Sequence, residues 1–352
     1  MAESIPRDRP ATPGDPPLWG LVMNIFVTGG AGYVGSHCVR ALCDAGHVVT
    51  VYDNLTSGGH KEAVDKRATL VVGDLGDSPR VARALSEGRF EAVMHFAALL
   101  DVNESVREPL RYYRNNVINT LSLLESMREF EIRKMVFSSS CATYGVPPSV
   151  PITEDMPQIP ISPYGCTKLA MEWALRDSAG AWGLDAMALR YFNASGAAED
   201  GTIGEDRDPE YHLIPIVLQV ALGQREEVKM FGLDYPTLDG TCVRDYVHVE
   251  DLASVHRMAV ETESESRFRY YNVGTGQGVS VKKLIEVARE VTGHDIPASP
   301  APRREGDPPE LYADPTKVMT ELGWRPHYTD IRKTIETAWN WHRTHPDGYA
   351  KS

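Results

Sequence analysis

The chain has 352 residues, of which 42% are hydrophobic and 24% are charged, and its formal net charge at pH 7 is −13. This composition is ordinary for a globular protein, and the length allows two domains or one large domain with a well-buried core. The excess of acidic residues argues against binding to nucleic acid or to an anionic membrane, and no segment approaches the roughly 18 apolar residues of a membrane-spanning helix. An anionic substrate would therefore need a local basic pocket.

The cysteines are odd in number, scattered along the chain and form no CxxC motif: Cys38, Cys43, Cys141, Cys166 and Cys242. This pattern argues against a disulfide framework and against a zinc site, so no metal is predicted. It is typical of a protein in the reducing cytoplasm.

Residues 1–22 are rich in proline and lack the apolar core of a signal peptide, so they are predicted to form a disordered extension. Short apolar runs then alternate with segments of helical spacing, which predicts a doubly wound, mostly parallel α/β sheet. The runs are rich in β-branched residues and do not alternate with polar ones, as expected of strands buried on both faces. They are NIFVTG (24–29), VVTVYD (48–53), TLVVGD (69–74), AVMHFA (92–97), KMVFSSS (134–140) and DAMALRYF (185–192).

The first predicted strand runs into a glycine-rich turn, VTGGAGYVGSH, with Gly29, Gly32 and Gly35 in GxxGxxG spacing. Such a turn at the start of a helix lets a pyrophosphate contact backbone N–H groups. The second strand ends at Asp53, 18 residues after Gly35, where a carboxylate accepts hydrogen bonds from an adenosine ribose and repels a 2′-phosphate. Residues 23–192 are therefore predicted to be a Rossmann domain that binds NAD rather than NADP.

Tyr164 and Lys168 lie four residues apart in SPYGCTK. Ser162 and Pro163 are typical of a helix N-cap and first helical position, and residues spaced i and i+4 share a helix face. The pair alone fits either a solvated helix face or an acid/base centre.

Beyond about residue 195 the strand–helix rhythm gives way to loops, isolated helices and turns rich in proline and glycine. Residues 193–349 are therefore predicted to form a smaller C-terminal α/β domain, with some segments returning to the Rossmann sheet.

From Met23 to HPDGY near the C-terminus, the chain resembles the UDP-galactose 4-epimerases, which are extended short-chain dehydrogenase/reductases. The motifs that carry the resemblance occur in the family's order: TGGAGYVGSH, YDNL, FSSSCATYG, SPYGCTK, RYFNASGA, HLIP, DGTCVRDYVHVEDLA, YNVGTGQGVSV, APRREGD and LGWRP. YxxxK alone is shared by a very large superfamily, whereas DGTCVRDYVHVEDLA together with APRREGD is narrower and indicates a nucleotide-sugar epimerase.

The resemblance implies a tightly held NAD and the interconversion of UDP-glucose and UDP-galactose. Tyr164 would remove the proton of the sugar 4-hydroxyl while a hydride leaves C4, and the 4-keto sugar would rotate and take the hydride back on its other face. Ser140 would bond the sugar hydroxyl, and Lys168 the nicotinamide ribose. Lys168 and the nicotinamide would together lower the Tyr164 pKa from about 10 to near 7, which requires roughly 4 kcal/mol.

The residues after Ser140 separate this reaction from those of related enzymes. Sugar-nucleotide dehydratases carry an Asp-Glu pair there and UDP-glucuronate decarboxylases a glutamate, whereas this chain has Cys141 and Ala142. Neither side chain can act as a second acid, so epimerisation remains. Cys141 and Cys166 are interpreted as packing residues.

The resemblance assigns two further sets of residues. The predicted cofactor-binding residues are Gly29, Gly32, Tyr33, Val34, Gly35, Asp53, Asn54, Asp74, Leu75, Phe96, Ala97, Ala98, Asn115, Ser138, Tyr164, Lys168 and Tyr191. The predicted substrate-binding residues are Ser140, Tyr164, Asn193, His212, Leu213, Phe231, Arg244, Arg304, Asp307 and Leu311. Among the latter, Arg244 and Arg304 would hold the diphosphate, Asp307 a ribose and Phe231 the uracil.

Three positions depart from the family pattern or bear on specificity. Leu100 replaces a lysine near the cofactor, which puts cofactor retention in question, and His212 replaces an asparagine seen in some relatives. Leu311 falls where a tyrosine excludes N-acetyl groups and smaller residues admit them. Leucine is intermediate, so a hexose is expected to be preferred, with partial activity on N-acetylhexosamines; UDP-pentoses are left open.

His95 is interpreted as a core histidine, and Trp339 and Trp341 as helix-packing residues.

A sugar-nucleotide dehydrogenase and a non-catalytic dinucleotide sensor remain as competing interpretations. Family members commonly pair through two helices, here predicted over residues 113–129 and 163–180, so a homodimer is expected.

Overall fold

A computed structural model describes residues 22–56, 58–263, 266–304 and 307–349. Except for residue 22, the predicted N-terminal extension lies outside these residues. The strands are β1 (Asn24–Thr28), β2 (Val48–Asp53), β3 (Thr69–Val72), β4 (Ala92–His95), β5 (Lys134–Ser140), β6 (Asp185–Tyr191), β7 (Asn193–Ser195), β8 (Val228–Phe231), β9 (Val243–Arg244), β10 (Tyr246–His248), β11 (Phe268–Val273), β12 (Val279–Ser280), β13 (Ala298–Ala301) and β14 (Glu310–Leu311).

The α-helices connect these strands and cover the sheets. They are α1 (Tyr33–Asp44), α2 (Ser78–Gly88), α3 (Val102–Arg107), α4 (Pro109–Tyr112), α5 (Asn119–Glu129), α6 (Pro163–Trp182), α7 (Leu213–Ala221), α8 (Val249–Glu261), α9 (Val281–Thr292), α10 (Thr316–Glu321) and α11 (Ile331–Thr344). A π-helix over Tyr113–Ile118 joins α4 to α5, and short 3₁₀ turns lie at Lys61–Ala63 and Cys141–Thr143. None of the helices in the described segments is long and apolar enough to cross a membrane.

The described part of the chain contains a seven-stranded parallel sheet in the order β11-β6-β5-β4-β1-β2-β3. Successive residues of β1 face opposite sides of it: Ile25 and Val27 pack into the core beneath α1 and α8, and Phe26 packs into the core beneath α2, α5 and α6. Helices on both faces explain why the predicted strands carry no polar alternation. The predicted doubly wound Rossmann-type architecture is confirmed.

Four of the predicted strands end one or two residues earlier than expected: β1, β3, β4 and β6. β1 ends at Thr28 rather than at residue 29, because Gly29 adopts a φ of +72° that a strand does not use. β3 is partly exposed, and Val72 keeps 46% of its surface accessible. Its position at the sheet edge explains this, since burial on both faces applies only to strands covered by neighbours.

The C-terminal part of the chain contributes to two places. β11 joins the parallel sheet beside β6, and α8 packs against α1. The remaining elements form small sheets (β7 with β10, β12-β9-β14, and β8 with β13) and a separate core between α7, α9 and α11. The predicted domain division at residue 193 stays a prediction.

Candidate active site

A cavity of about 410 Å³ opens at the carboxyl ends of the parallel strands. It lies where the strand order reverses, with β1 between β2 and β4, and open α/β sheets bind their ligands at such a point. Most of the predicted cofactor-binding residues line it: Gly29, Gly32, Tyr33, Val34, Gly35, Asp53, Asn54, Asp74, Leu75, Phe96, Ala97, Ala98, Asn115, Tyr164 and Tyr191. So do several predicted substrate-binding residues: Ser140, Tyr164, Asn193, His212, Leu213 and Leu311.

The glycine-rich turn forms a cradle at the N-terminus of α1. A Cβ at Gly29 would lie 2.5 Å from the Ala97 nitrogen, and one at Gly35 would lie 2.2 Å from the Gly29 oxygen. Gly32 is the N-cap of α1 and supplies no side-chain cap, and a Cβ there would meet nothing closer than 3.4 Å. The turn is therefore closely packed behind and open toward the cavity, which suits a dinucleotide pyrophosphate.

Asp53 ties the end of β2 to this cradle. Its carboxylate accepts hydrogen bonds from the backbone nitrogens of Ala31 (3.0 Å) and Leu55 (2.8 Å), and burial raises its pKa. Asp74, at the neighbouring strand end, accepts a hydrogen bond from Asn54 at 2.7 Å. Both residues line the cavity, and their role in binding adenosine stays a prediction.

Helix α6 carries the Tyr164/Lys168 pair. Ser162 caps it by accepting a hydrogen bond from the Gly165 nitrogen, and Pro163 occupies the first turn, as the sequence predicted. Tyr164 faces the cavity, whereas Lys168 is only 4% exposed and does not line it. The Lys168 Nζ atom donates to the Ser138 carbonyl oxygen at 2.7 Å and lies 5.9 Å from the centre of the Tyr164 ring.

In the protein without a ligand, burial dominates the acid/base properties of this pair. Burial raises the pKa of Tyr164, although its hydrogen bond with Ser140 acts in the opposite direction. Burial also lowers the pKa of Lys168 to about 7. The protein matrix thus favours a neutral phenol, and the expected lowering of the Tyr164 pKa requires charge that a bound ligand brings.

A buried ion pair that the sequence analysis missed holds α6 against the sheet. Arg190 on β6 donates to Glu172 on α6 at 2.6 Å, both side chains are 3% exposed, and Ser139 donates to the same carboxylate. Removing one partner of such a pair is strongly destabilising. Only the fold could reveal it, because residues 139, 172 and 190 meet through sheet and helix packing.

Ser138 lies behind the cavity wall rather than on it. Its hydroxyl bonds the Tyr191 hydroxyl at 2.7 Å, and burial raises the pKa of Tyr191 to about 12. Asn116, another residue that the sequence analysis missed, holds the Leu99 backbone through both its nitrogen and its oxygen, at 2.9 Å each. Leu99 and Leu100 line the cavity.

Cys141 lines the cavity with Ala142, directly after Ser140. Burial raises its pKa to about 12, so the thiol is neutral and a poor nucleophile near pH 7. Cys166 does not line the cavity and interacts with the Tyr113 hydroxyl. Neither cysteine provides a second acid beside Ser140.

The remaining predicted substrate residues lie outside this cavity and contact one another. Arg244 pairs with Asp307 at 2.9 Å, and the Arg304 guanidinium lies 4.0 Å from the centre of the Phe231 ring. The Asp307 nitrogen donates to the Arg304 carbonyl oxygen. We call Phe231, Arg244, Arg304 and Asp307 the outer cluster; it adjoins the cavity wall because Arg244 on β9 is the register partner of Leu311 on β14.

Glu205, Glu210 and His212 form a polar cluster at the edge of the cavity. They lie in the loop that leads into α7. Carboxylate atoms of Glu205 and Glu210 and a ring nitrogen of His212 all lie within 4.8 Å of one another. Arg207, from the same loop, lines the cavity beside Gly58. Of these residues, the sequence analysis singled out only His212. The arginine within the acidic segment GEDRDPE could have drawn attention to Glu205, Arg207 and Glu210.

Of the residues interpreted as structural, His95 and Trp341 are buried and Trp339 is partly buried. His95 lies between the hydroxyls of Thr28 (2.6 Å) and Thr120 (2.9 Å), and burial lowers its pKa to about 3, so it is a neutral core residue. Trp341 is 1% exposed, and Trp339 packs against the C-terminal core.

Comparison with known proteins defines the class to which this fold and site belong. Residues 25–274 match the NAD dependent epimerase/dehydratase family, and the chain belongs to it. It is 49% identical to a UDP-glucose 4-epimerase of Lacticaseibacillus casei over 93% of this chain and 99% of that protein.

Solved structures of UDP-glucose 4-epimerases are similar to this chain in fold and in sequence. A UDP-glucose 4-epimerase from Brucella ovis in complex with NAD is 46% identical, with a TM-score of 0.87 over 90% of this chain and 97% of that one. One from Bifidobacterium longum in complex with NAD⁺ and UDP is 38% identical, with a TM-score of 0.89 over 93% and 100%. The predicted epimerase family and its NAD dependence are therefore confirmed.

Proposed function

We propose that this enzyme interconverts UDP-glucose and UDP-galactose by inverting C4 of the hexose, with NAD as its resident cofactor. The observation that carries this function is the meeting of Tyr164 and Ser140 with the glycine cradle in one cavity, with Lys168 buried directly behind the tyrosine. The family match and the identity to UDP-glucose 4-epimerases support the same reaction.

The cavity suits the adenosine half of NAD, with the open glycine cradle for the pyrophosphate and Asp53 for the adenosine ribose. When bound, NAD⁺ supplies a positively charged ring that accepts a hydride from the sugar and returns it. Tyr164 takes the proton of the sugar 4-hydroxyl and gives it back after the 4-keto sugar has rotated in the site. Ser140, which lines the cavity with Tyr164, hydrogen-bonds and positions the sugar 4-hydroxyl.

Lys168 acts from behind the tyrosine. Its Nζ atom is anchored on the Ser138 carbonyl oxygen, so it is held on the same helix face as Tyr164 and stabilises the phenolate by its charge. Because burial lowers the pKa of Lys168 to about 7, this charge is fully present only below neutral pH in the protein alone.

The UDP moiety extends from the cavity toward the outer cluster. Arg244 and Arg304 hold the diphosphate, Asp307 a ribose hydroxyl and Phe231 the uracil, with Asn193, Leu213 and His212 along the way. Binding exchanges the Arg244–Asp307 ion pair for contacts with the nucleotide. Leu311, on the cavity wall, is intermediate in size between a tyrosine, which excludes N-acetyl groups, and the smaller residues that admit them. Hexoses are therefore preferred, and N-acetylhexosamines are accepted in part.

A reaction without added NAD⁺ tests this function. Purified protein incubated with UDP-galactose should form UDP-glucose over many turnovers without accumulating NADH. A sugar-nucleotide dehydrogenase would stop at one equivalent or less, and a non-catalytic sensor would form no product. Either result would overturn the proposal.

We also propose that the enzyme is a cytoplasmic homodimer. Large apolar side chains are exposed along α3 to α6: Val106 (63%), Leu110 (74%), Ile118 (55%) and Trp173 (52%). A second copy of the chain would bury this surface. Light scattering should give twice the chain mass, and Leu110→Glu should shift it toward the monomer; a wild-type monomer would contradict the dimer.

A further inference from the structure

His212 combines an anchored ring nitrogen with access to the cavity. Its Nδ1 atom shares a hydrogen bond with the Glu205 carboxylate, and the side chain is 38% exposed, whereas that of Glu205 is 5% exposed. Since Nδ1 is engaged, Nε2 is the nitrogen left for a ligand. A carboxylate that orients a histidine in this way also favours its protonated form.

The position of His212 suits an anion. It is the N-cap residue of α7, which begins without a side-chain cap, and Leu213, Ile214 and Pro215 of that helix line the cavity. The backbone N–H groups and the dipole at a helix N-terminus favour negative charge. A cationic His212 would add a full charge there.

The charged neighbours of His212 are mixed in sign. Glu210 accepts hydrogen bonds from the Tyr211 and His212 nitrogens, at 2.8 and 2.7 Å, and Arg207 lies 3.9 Å from Glu205. On α11, His342 neighbours Glu205, but burial lowers the pKa of His342 to about 4, so its ring is neutral near pH 7. Across the cavity, burial raises the pKa values of Tyr164, Tyr191 and Cys141, which keeps these groups neutral near pH 7.

The pKa directions agree with this geometry. Burial, the largest influence, lowers the pKa of His212, but the charge and hydrogen bond of Glu205 outweigh it and raise the pKa above 6.5. The pKa of Glu205 is lowered in turn: burial raises it, but His212 and Arg207 outweigh that effect. Burial and the neighbouring Glu205 raise the pKa of Glu210 to about 7.

We propose that Glu205 is a positioning residue that holds the His212 ring as a cation against the substrate diphosphate, which makes substrate affinity depend on pH. This inference rests on the proposed epimerase function. The cation is present below the pKa of His212 in the folded protein and is lost as the pH rises through it. Substrate binding therefore weakens on the alkaline side, independently of the groups that set kcat.

Steady-state kinetics with UDP-galactose from about pH 6 to about pH 9 test the proposal. The diphosphate of this substrate does not titrate in that range. The wild-type KM should rise with pH. In Glu205→Gln the KM at pH 7 should increase about tenfold, as expected for weakening one charged hydrogen bond, and its transition should move to lower pH, with kcat changed less than about twofold. In His212→Asn the KM should be high and should rise with pH less steeply than in the wild type, because Glu210 is then the group beside the diphosphate whose pKa lies near 7.

A second histidine–glutamate pair provides the matched control. His47 and Glu261 interact at 3.2 Å, with side chains 5% and 21% exposed, and neither lines the cavity. Glu261→Gln should leave the pH profile of KM unchanged. A merely structural role for Glu205 would lower stability without shifting this profile.

The outcomes separate the two proposals. A wild-type protein that does not epimerise UDP-galactose overturns the proposed function, whereas an active enzyme whose KM is independent of pH overturns this inference alone. An unshifted profile in folded Glu205→Gln overturns it as well. If circular dichroism shows that Glu205→Gln does not fold, His212→Asn decides, because a KM that rises with pH as steeply in that variant as in the wild type contradicts the role of the ring.

Discussion

The cofactor end of the cavity and the outer cluster are built in opposite ways. At the cofactor end, the glycine cradle and Asp53 are held by backbone contacts between strand ends, and the space for a ligand already exists. In the outer cluster, Arg244 is paired with Asp307 and the Arg304 guanidinium lies over the Phe231 ring, so both arginines already have partners within the protein.

This difference affects the free energy of ligand binding at the two ends. A preorganised site loses little free energy on ligand binding, whereas a site that must exchange partners loses the old contacts first. A preorganised site suits a cofactor that stays tightly bound, and a site that exchanges partners suits a substrate that must leave. Variants at each end can test whether the difference is functional.

The largest expected effect follows from Tyr164→Phe. Removing the group that moves the proton should lower kcat about 10²- to 10⁴-fold, the usual range for acid/base catalysis, while UDP affinity changes only a few-fold. Stopped assays for product and calorimetry with UDP measure the two quantities. Tyr113→Phe, which changes a tyrosine 39% exposed outside the cavity, is the control; normal turnover in Tyr164→Phe would refute the mechanism.

The cofactor end should distinguish two neighbouring glycines. In Gly35→Ala the new Cβ would lie 2.2 Å from the Gly29 oxygen, so we expect a loss of roughly 3 kcal/mol in the free energy of unfolding. In Gly32→Ala the nearest atom is 3.4 Å away, so stability should fall by less than about 1 kcal/mol. Its methyl group would nevertheless enter the cradle, and the NAD content of the purified protein should drop. Equal stability of the two variants would contradict the close packing described for Gly35.

The outer cluster should respond in affinity rather than in stability. Arg244→Ala removes a charged contact to the diphosphate, so the Kd for UDP should rise about tenfold or more. Arg303 is a control because it pairs with an aspartate, Asp234, as Arg244 does with Asp307, and its guanidinium lies over the Tyr235 ring. Calorimetry should show Arg303→Ala within about twofold of wild type. Equal losses in both variants would argue against a specific role for Arg244.

The last expected effect is a change in the pH dependence of stability. His256 on α8 packs against the cavity-lining rings of Phe96 and Tyr191, and burial lowers its pKa to about 4. The unfolded chain takes up a proton that the folded chain does not, so this stability is present above about pH 6.5 and is lost as the pH falls toward 4. His256→Leu should reduce the loss between about pH 6.5 and pH 5 by about 1.5 kcal/mol. Urea titrations measure it, with the exposed His294→Leu as control; an unchanged pH slope would contradict a neutral buried ring.

Local patterns in the chain predicted the parallel sheet, the glycine cradle and the start of α6. These features depend on neighbouring residues: β-branched runs, a GxxGxxG turn and a Ser-Pro cap. The resemblance extended the prediction to residues such as Ser140 and Asn193, which do line the cavity. The partly exposed edge strand β3 was not predicted, because composition does not reveal a strand's place in the sheet.

The sequence by itself determined the fold class, the family and the residue types that the chemistry needs, because those depend on periodicity and on short motifs. Only the tertiary structure decided which charged groups face one another. The Arg190–Glu172 pair, the Arg244–Asp307 pair and the Glu205–His212 pair all join residues whose side chains meet through packing. Burial set the pKa directions of Tyr164 and Lys168 in the same way, since the charged state of a group depends on the atoms that surround it.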